Sequence, residues 1–368
     1  MKTMYRAHVG VVAAFALCAA ALVAAGSASA TTLTVCPSGC PYTTISAALI
    51  AASDGDKVVV GPGSYVERVT IDEDVSLLGA GAAETTLSGP PAGGEVNLDP
   101  VVRIEAEASA SISGVTITGG DIETFGGGVQ NFGDLTLTRS AVVGNSAIFD
   151  GGSVYNVGSL AISNSTIEGV AGHNLGGGIF NSGALTISKS TVSGRALDCC
   201  GGAIANVGTA TLKNSMISDS FSWGPGGGIA NFGFGEMTLM NVLVSGNEAT
   251  EFGGGGGIVN EGTMTLLRSA VSDNQADGSG GGILNRGSLT LDDTDVADNT
   301  VDLDRSGFGG HGGGIFNSGT LVSDHSTVTG NTAALSGGGL FNSPEGSLSL
   351  TKTSISGNTP DDCIGCSP

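Results

Sequence analysis

The chain is poor in charged residues and especially poor in basic ones. Charged residues make up 13% of its 368 residues, and 13 Lys and Arg stand against 34 Asp and Glu. Sequence-independent binding of nucleic acid depends on basic side chains, as does attraction to an anionic membrane surface. The composition therefore argues against both partners, and we expect no nucleic-acid ligand.

Long apolar runs are missing except near the start of the chain. Lys2 and Arg6 precede an apolar stretch from Val11 to Ala25, and a small-residue site, Ala28-Ser29-Ala30, follows it. This order is typical of a secretory signal peptide, so we expect cleavage after residue 30 and a secreted protein. Cleavage would leave 11 basic against 34 acidic residues, a formal charge of −23. Because no second apolar run follows, no membrane insertion is expected.

Cysteine is scarce and occurs in close pairs. Six cysteines follow the predicted cleavage site, at positions 36 and 40, 199 and 200, and 363 and 366. In an exported protein, Cys36 with Cys40 and Cys363 with Cys366 are predicted to form local disulfides. The adjacent pair is either a vicinal disulfide or two free thiols. A metal site at the last pair is the alternative, but no nearby histidine or second cysteine pair completes four ligands, so no metal is predicted there.

Glycine is abundant, with 64 residues, and much of it precedes regularly spaced asparagines. Nine asparagines follow one another at intervals of 25, 25, 25, 25, 29, 25, 32 and 25 residues, each two residues after an aliphatic side chain. They are Asn131, Asn156, Asn181, Asn206, Asn231, Asn260, Asn285, Asn317 and Asn342. Side chains two apart on a strand point the same way, so aliphatic and amide should both face inward. We predict a structural ladder in which these amides bind turn backbone groups.

Each repeat also holds two further segments with period-two alternation and no helical periodicity, such as Leu135 with Leu137 and then Val142. A unit of this size buries its apolar side by stacking on copies of itself. Propeller blades are longer, and leucine-rich repeats carry a leucine-dense consensus. The sequence therefore predicts an all-β fold: a single-stranded right-handed parallel β-helix of about 11–12 coils with a short N-terminal capping helix.

The expected organisation has four parts. A signal peptide occupies residues 1–30, and an N-terminal cap with the first coils occupies 31–100. Regular 25-residue coils fill 101–359, and a cysteine-containing tail fills 360–368. Apolar spacing between Tyr42 and Ala52 predicts the capping helix, and Lys57 to Val60 and Val75 to Leu78 are expected to start the first coils.

Two resemblances bear on the fold. The stretch from Tyr42-Thr-Thr-Ile through Gly55-Asp56-Lys57 to Val75-Ser-Leu-Leu-Gly79 resembles the N-terminal part of pectinesterase-type and related pectin-lyase-like β-helix proteins. This resemblance implies the β-helix fold and a link to polysaccharides. Gly201-Gly-Ala-Ile204 and its relatives look like the repeats of polymorphic outer-membrane proteins, which are adhesins. The paired catalytic aspartates, glutamines and arginine of pectinesterases have no matching motif in this sequence.

Loops that precede the glycine turns vary most in length and are the expected place for function. His173, Asp198 and Trp223 each stand three residues before a glycine, with Arg195 nearby. Equivalent positions in adjacent coils lie about 4.8 Å apart, so an acid, a base and an aromatic ring would share one cleft. His173, Asp198 and Arg195 are the catalytic candidates; Trp223, His173 and Asp198 are also expected to bind ligand.

Longer loops add further candidates. Glu251 and Phe252 are predicted ligand-binding residues, and Asp302 with Asp304 could form part of a calcium site. Otherwise no cofactor is expected.

Three function classes remain open. The first is a non-catalytic extracellular glycan-binding or adhesion module, whose partner is an extracellular polysaccharide or cell-surface glycan. The second is a polysaccharide lyase or hydrolase, and the third is a purely structural surface protein. Missing catalytic motifs favour the first.

Overall fold

The computed structural model describes residues 29–91, 97–250, 254–302 and 310–366. They form a right-handed parallel β-helix in which every coil after the first contributes strands to three parallel sheets, A, B and C. Sheet A contains thirteen strands. At the strand spacing of parallel sheets the stack is roughly 58 Å long. The predicted fold class is confirmed.

Each sheet is a column of short strands stacked along the rod. Sheet A comprises Thr32–Val35, Lys57–Val60, Val75–Gly79, Ser109–Ser113, Asp134–Thr138, Ser159–Ser163, Ala184–Ser188, Thr209–Lys213, Glu236–Met240, Thr263–Leu267, Ser288–Asp292, Thr320–Asp324 and Ser347–Thr351. Sheet B comprises Gly63–Val66, Thr85–Ser88, Thr116–Thr118, Asp121–Ile122, Ala141–Ala147, Thr166–Ala171, Thr191–Ala196, Met216–Ser218, Phe221–Ser222, Leu243–Ser245, Glu248–Ala249, Ala270–Ser272, Gln275–Ala276, Asp295–Ala297, Thr300–Val301, Thr327–Thr329 and Ser354–Ser356. Sheet C comprises Val69–Ile71, Val102–Ile104, Val129–Asn131, Val154–Asn156, Ile179–Asn181, Ile204–Asn206, Ile229–Asn231, Ile258–Asn260, Ile283–Asn285, Ile315–Asn317, Leu340–Asn342 and Cys363–Ile364.

The N-terminal end holds one more coil than the sequence predicts. Thr32–Val35 forms the first strand of sheet A and pairs with Lys57–Val60, so the coils begin before the helix. The α-helix Ile45–Ile50 buries Ile45, Ala48 and Leu49 in the main apolar core. It is shorter than the predicted span, and the Glu67 carboxylate accepts the backbone N–H groups of its first two residues. In the described residues, no helix is long and apolar enough to cross a membrane.

Polar ladders line the inner corners of the rod. The Nδ2 atom of each predicted asparagine donates to the Oδ1 atom of the next one at 2.7–2.9 Å, from Asn131 through to Asn342. A second amide ladder, which the sequence analysis missed, lies in the turn that follows the first sheet B strand of each of five consecutive coils. Its bonds are 2.9–3.0 Å long. Its members are Asn247, Asn274, Asn299, Asn331 and Asn358. These amides satisfy turn groups that would otherwise be buried without partners.

Candidate functional site

The loops that join sheet B to sheet C fold over the outer face of sheet C. The middle residue of each sheet C strand points outward, yet Ala205, Ala230, Val259 and Leu284 are at most 3% exposed. Ala230, Val259 and Leu284 form, together with loop residues, a second, smaller apolar cluster outside the coils. Glycine makes the tight return possible. At Gly176, with φ of 70°, a Cβ atom would collide with the carbonyl oxygen of Ile179.

Four residues in these loops occupy one column on consecutive coils. The Phe149 N–H donates to the Thr124 carbonyl and the His173 N–H donates to the Ile148 carbonyl, which places Phe125, Phe149 and His173 in register. The Leu197 N–H donates to the Ala171 carbonyl, so the next residue, Asp198, lies opposite His173 and continues the column. We call Phe125, Phe149, His173 and Asp198 the loop column. It presents two rings, an imidazole and a carboxylate along about 14 Å of the rod.

His173 and Asp198 are in contact. The His173 Nδ1 atom lies 3.5 Å from Asp198 Oδ2, and their side chains are 64% and 59% exposed. An exposed pair of this kind adds little to stability, since water screens its charges. It remains free to exchange hydrogen bonds with a ligand.

Trp223 lies outside the register that its spacing predicts. Ser222 pairs with Ala196, and the Trp223 N–H donates to the Ala196 carbonyl at 3.1 Å, so Trp223 stands opposite Leu197. The expectation that Trp223 shares a phase with Asp198 is therefore wrong. Its distance from the following glycine turn gives the wrong register for Trp223. Compared with the preceding coil, the sheet B segment of this coil is one residue longer and the loop after it is one residue shorter. Its side chain is 46% exposed.

Arg195 belongs to sheet B and not to the loop column. Its guanidinium carbon lies 4.9 Å from the ring centroid of Phe221, its partner in the neighbouring strand. This cation–π contact occupies the face of the ring. The described residues show no bond from Arg195 to His173 or Asp198.

An aromatic cluster, which the sequence analysis missed, adjoins the loop column. The Phe125 ring centroid lies 5.5 Å from that of Phe149 and 5.0 Å from that of Tyr155, which stacks on Phe180 at 5.3 Å. Phe125 and Phe149 are 36% and 38% exposed. Their position next to glycine turns could have indicated this cluster, but only a search along the backbone register brings them together.

Asp150 lies beside this cluster. Its Oδ1 atom accepts the Leu175 N–H at 3.0 Å. Burial raises the pKa of the Asp150 carboxyl above its ordinary value, although the Leu175 N–H and the Asn174 side chain oppose the shift. Burial likewise raises the pKa of Tyr155, and the nearby Asp150 charge adds to it. The carboxyl is thus half-buried next to rings.

Only Asp302 of the four longer-loop candidates lies within the described residues. Glu251, Phe252 and Asp304 lie outside the described residues. Asp302 accepts a hydrogen bond from the Gln275 side chain at 2.6 Å. The predicted calcium pair therefore stays a prediction.

A carboxylate and histidine group lies at another corner. One ligand atom from each of Asp292, Asp324 and His325 falls within 4.8 Å of the others. His325 Nδ1 contacts Asp324 Oδ1 at 2.9 Å, while Lys352 Nζ lies 3.1 Å from its Nε2. The ammonium group would repel a metal cation bound here.

All three cysteine pairs are joined as disulfides: Cys36 with Cys40, Cys199 with Cys200, and Cys363 with Cys366. The vicinal pair packs in the small apolar cluster over sheet C, and Cys200 is 7% exposed. The other two pairs lie at the two ends of the rod.

Several solved β-helix enzymes are similar to this chain at 14–15% sequence identity. No protein-family model and no curated protein sequence match the chain. Pectin methylesterase PemA from Erwinia chrysanthemi is similar over 66% of this chain and 90% of its own, at 14% identity and a TM-score of 0.43. The Azotobacter vinelandii mannuronan C-5 epimerase AlgE6 A-module is similar over 87% and 93%, at 14% identity and a TM-score of 0.44.

Pectate lyase Pel9A is similar over 80% of this chain and 77% of its own, at 15% identity and a TM-score of 0.34. The three stacked parallel sheets define the fold independently of these similarities. The resemblance to polymorphic outer-membrane protein repeats stays a prediction.

Proposed function

We propose that this chain is a secreted, non-catalytic glycan-binding or adhesion module whose ligand lies along the loop column. The observation that supports it is the sequence of groups on four consecutive coils: the rings of Phe125 and Phe149, then His173 and Asp198 in contact at 3.5 Å. Aromatic faces pack against the C–H faces of sugars, and imidazole and carboxylate groups bind their hydroxyls.

The dimensions of this surface suit a short oligosaccharide. Trp223 stands near the far end of the column, roughly 14 Å from Phe149 at the coil spacing, and is 46% exposed. A chain of a few sugars would thus meet an aromatic ring at each end and polar groups between them. Because Asp150, Asp198 and a strongly acidic protein surround the site, the ligand is neutral or weakly charged.

The test is calorimetric titration with neutral oligosaccharides of several linkages, alongside tryptophan fluorescence. The double variant Phe125→Ala/Phe149→Ala should bind at least tenfold more weakly, and the fluorescence of Trp223, the only tryptophan in the chain, should change when the oligosaccharide binds to the wild type. Phe234→Ala is the matched control, because Phe234 is 98% exposed in a turn away from the loop column. Unchanged affinity in the double variant would contradict the proposed site.

A polysaccharide-degrading activity is the alternative that the His173–Asp198 contact favours, since an acid and a base lie on adjacent coils. Incubation with polysaccharides, followed by unsaturated-product absorbance and reducing-end assays, separates the two. Turnover that is lost in His173→Ala would replace the non-catalytic proposal. If neither turnover nor binding is observed, a purely structural role is favoured.

A further inference from the structure

A line of cations runs along the corner between sheets A and B. Arg139, Lys189, Lys213 and Arg268 lie on this corner within six consecutive coils, and all four are exposed. At the coil spacing the line is roughly 24 Å long. We call it the cationic strip. It occupies a different corner from the loop column, so a ligand bound to the strip would be independent of the proposed function.

The strip is free of acidic residues although the chain contains 34 of them. Its eighteen outward positions are the last residue of each sheet A strand, the turn residue after it, and the first residue of the next sheet B strand. They are Thr138, Arg139, Ala141, Ser163, Asn164, Thr166, Ser188, Lys189, Thr191, Lys213, Asn214, Met216, Met240, Asn241, Leu243, Leu267, Arg268 and Ala270. The next coil places Asp292, Asp293 and Asp295 at the same three positions, which ends the strip.

The four cations have no carboxylate partner within the described chain. Arg103 and Arg286, by contrast, pair with Glu105 at 2.6 Å and Glu261 at 3.0 Å. The Arg139 guanidinium donates to Ser113 Oγ at 3.3 Å, and the Arg268 guanidinium donates to Asn241 Oδ1 at 3.2 Å. The strip therefore carries positive charge that internal ion pairs do not neutralise.

The backbone holds three of these cations in an unfavourable conformation. Arg139, Lys189 and Arg268 have φ of 48–49°, a left-handed region that long side chains rarely adopt. Gly114 holds the same position in the preceding coil at φ of 69°. Glycine or asparagine would fit this turn better, so the corner keeps cations where its geometry favours other residues.

We propose that the cationic strip docks a linear sulfated polysaccharide that runs along the rod axis. The four charges repeat at intervals of one or two coils, which suits an extended polyanion. Because the protein as a whole is strongly negative, only a ligand with a high charge density offsets the long-range repulsion by releasing its counterions. Asn164, Asn214 and Asn241, which hold the turn position in the coils between those of Arg139, Lys189 and Arg268, donate hydrogen bonds to sulfate oxygens.

The experiment measures binding of fluorescent heparin to the full chain from 20 to 300 mM NaCl. The variant Arg139→Asn/Lys189→Asn/Arg268→Asn keeps the turn, because asparagine occupies it at three other coils. The control Lys57→Gln/Arg68→Gln/Arg286→Gln removes the same charge away from the strip. We expect the strip variant to bind about tenfold more weakly at 50 mM NaCl, with a salt slope lower by about two to three, and the control to match the wild type.

Four outcomes overturn the proposal. They are absence of heparin binding at 20 mM NaCl, equal affinity of the strip variant and the control, equal or tighter binding of unsulfated polygalacturonate, and equal or tighter binding of a DNA duplex. Circular dichroism melts of both variants establish that each is folded before its affinity is compared.

Discussion

Ile104 lies directly opposite Asn131 in the parallel pairing of Val102–Ile104 with Val129–Asn131. Ile104 has no amide, so the Oδ1 atom of Asn131 is buried without a donor in the described chain. Every later member of the ladder receives the Nδ2–H of the asparagine before it. The ladder thus has a direction, and its first member is the least supported.

Asn206→Leu should cost more stability than Asn131→Leu. The first change leaves Asn231 Oδ1 without its donor and removes the acceptor that Asn181 Nδ2 uses at 2.7 Å. The second removes one donor but also removes an unpaired oxygen. We expect Asn206→Leu to cost about 1–3 kcal/mol and Asn131→Leu clearly less. Calorimetric melting midpoints compare them, and equal midpoints would contradict the directional ladder.

The second ladder makes a parallel prediction. Asn274 accepts from Asn247 Nδ2 at 2.9 Å and donates to Asn299 Oδ1 at 2.9 Å, inside a corner where it is 1% exposed. Asn274→Leu should therefore cost about 1–3 kcal/mol, as in the first ladder. Thr136→Leu, at an exposed strand position of sheet A, provides the comparison. A cost for Asn274→Leu no larger than that for Thr136→Leu would show that the second ladder contributes little.

The first ladder could be predicted from sequence because its members recur at one phase beside an aliphatic column. The second could not, because Gly169, Gly194 and Ser220 interrupt the same position in earlier coils. Period-two alternation also places the middle residue of each sheet C strand outside the coil, which is right. Alternation cannot show that a loop from the same coil then covers that residue, as happens at Val259.

The terminal disulfide should hold the last coil locally. Cys363–Ile364 pairs with Leu340–Phe341, and Cys363 and Cys366 pack against the end of the core beside Leu348. Closing so short a loop removes little entropy from the unfolded chain, so Cys363→Ser/Cys366→Ser should leave the main melting transition nearly unchanged.

Hydrogen exchange should instead accelerate at residues 340–356 and stay unchanged at 204–218. Mass spectrometry of the oxidised protein checks the pairing first. Free thiols at all four terminal positions would refute both predicted disulfides. Uniform acceleration along the rod would show that the disulfide supports the whole stack.

Asp150 provides a pH-dependent test of the loop column. Burial beside Tyr155 favours the neutral acid, so the pKa of Asp150 in the folded protein lies above its ordinary value of about 4. The folded state therefore holds this proton more tightly than the unfolded state does. Its contribution to stability is present below the unfolded-state pKa and is lost as pH rises through the folded-state pKa.

Asp150→Asn should consequently melt at a higher temperature than the wild type at neutral pH, and the gap should close below about pH 4. The amide oxygen can still accept the Leu175 N–H, which keeps the loop in place. The pKa of Tyr155 should fall, because the neighbouring charge is gone, and phenolate absorbance measures it. Asp134→Asn, at an exposed position of sheet A, is the control. Two results would show that burial of Asp150 does not cause the pH dependence. One is a difference in melting temperature that widens toward acid pH, and the other is the same difference in the control.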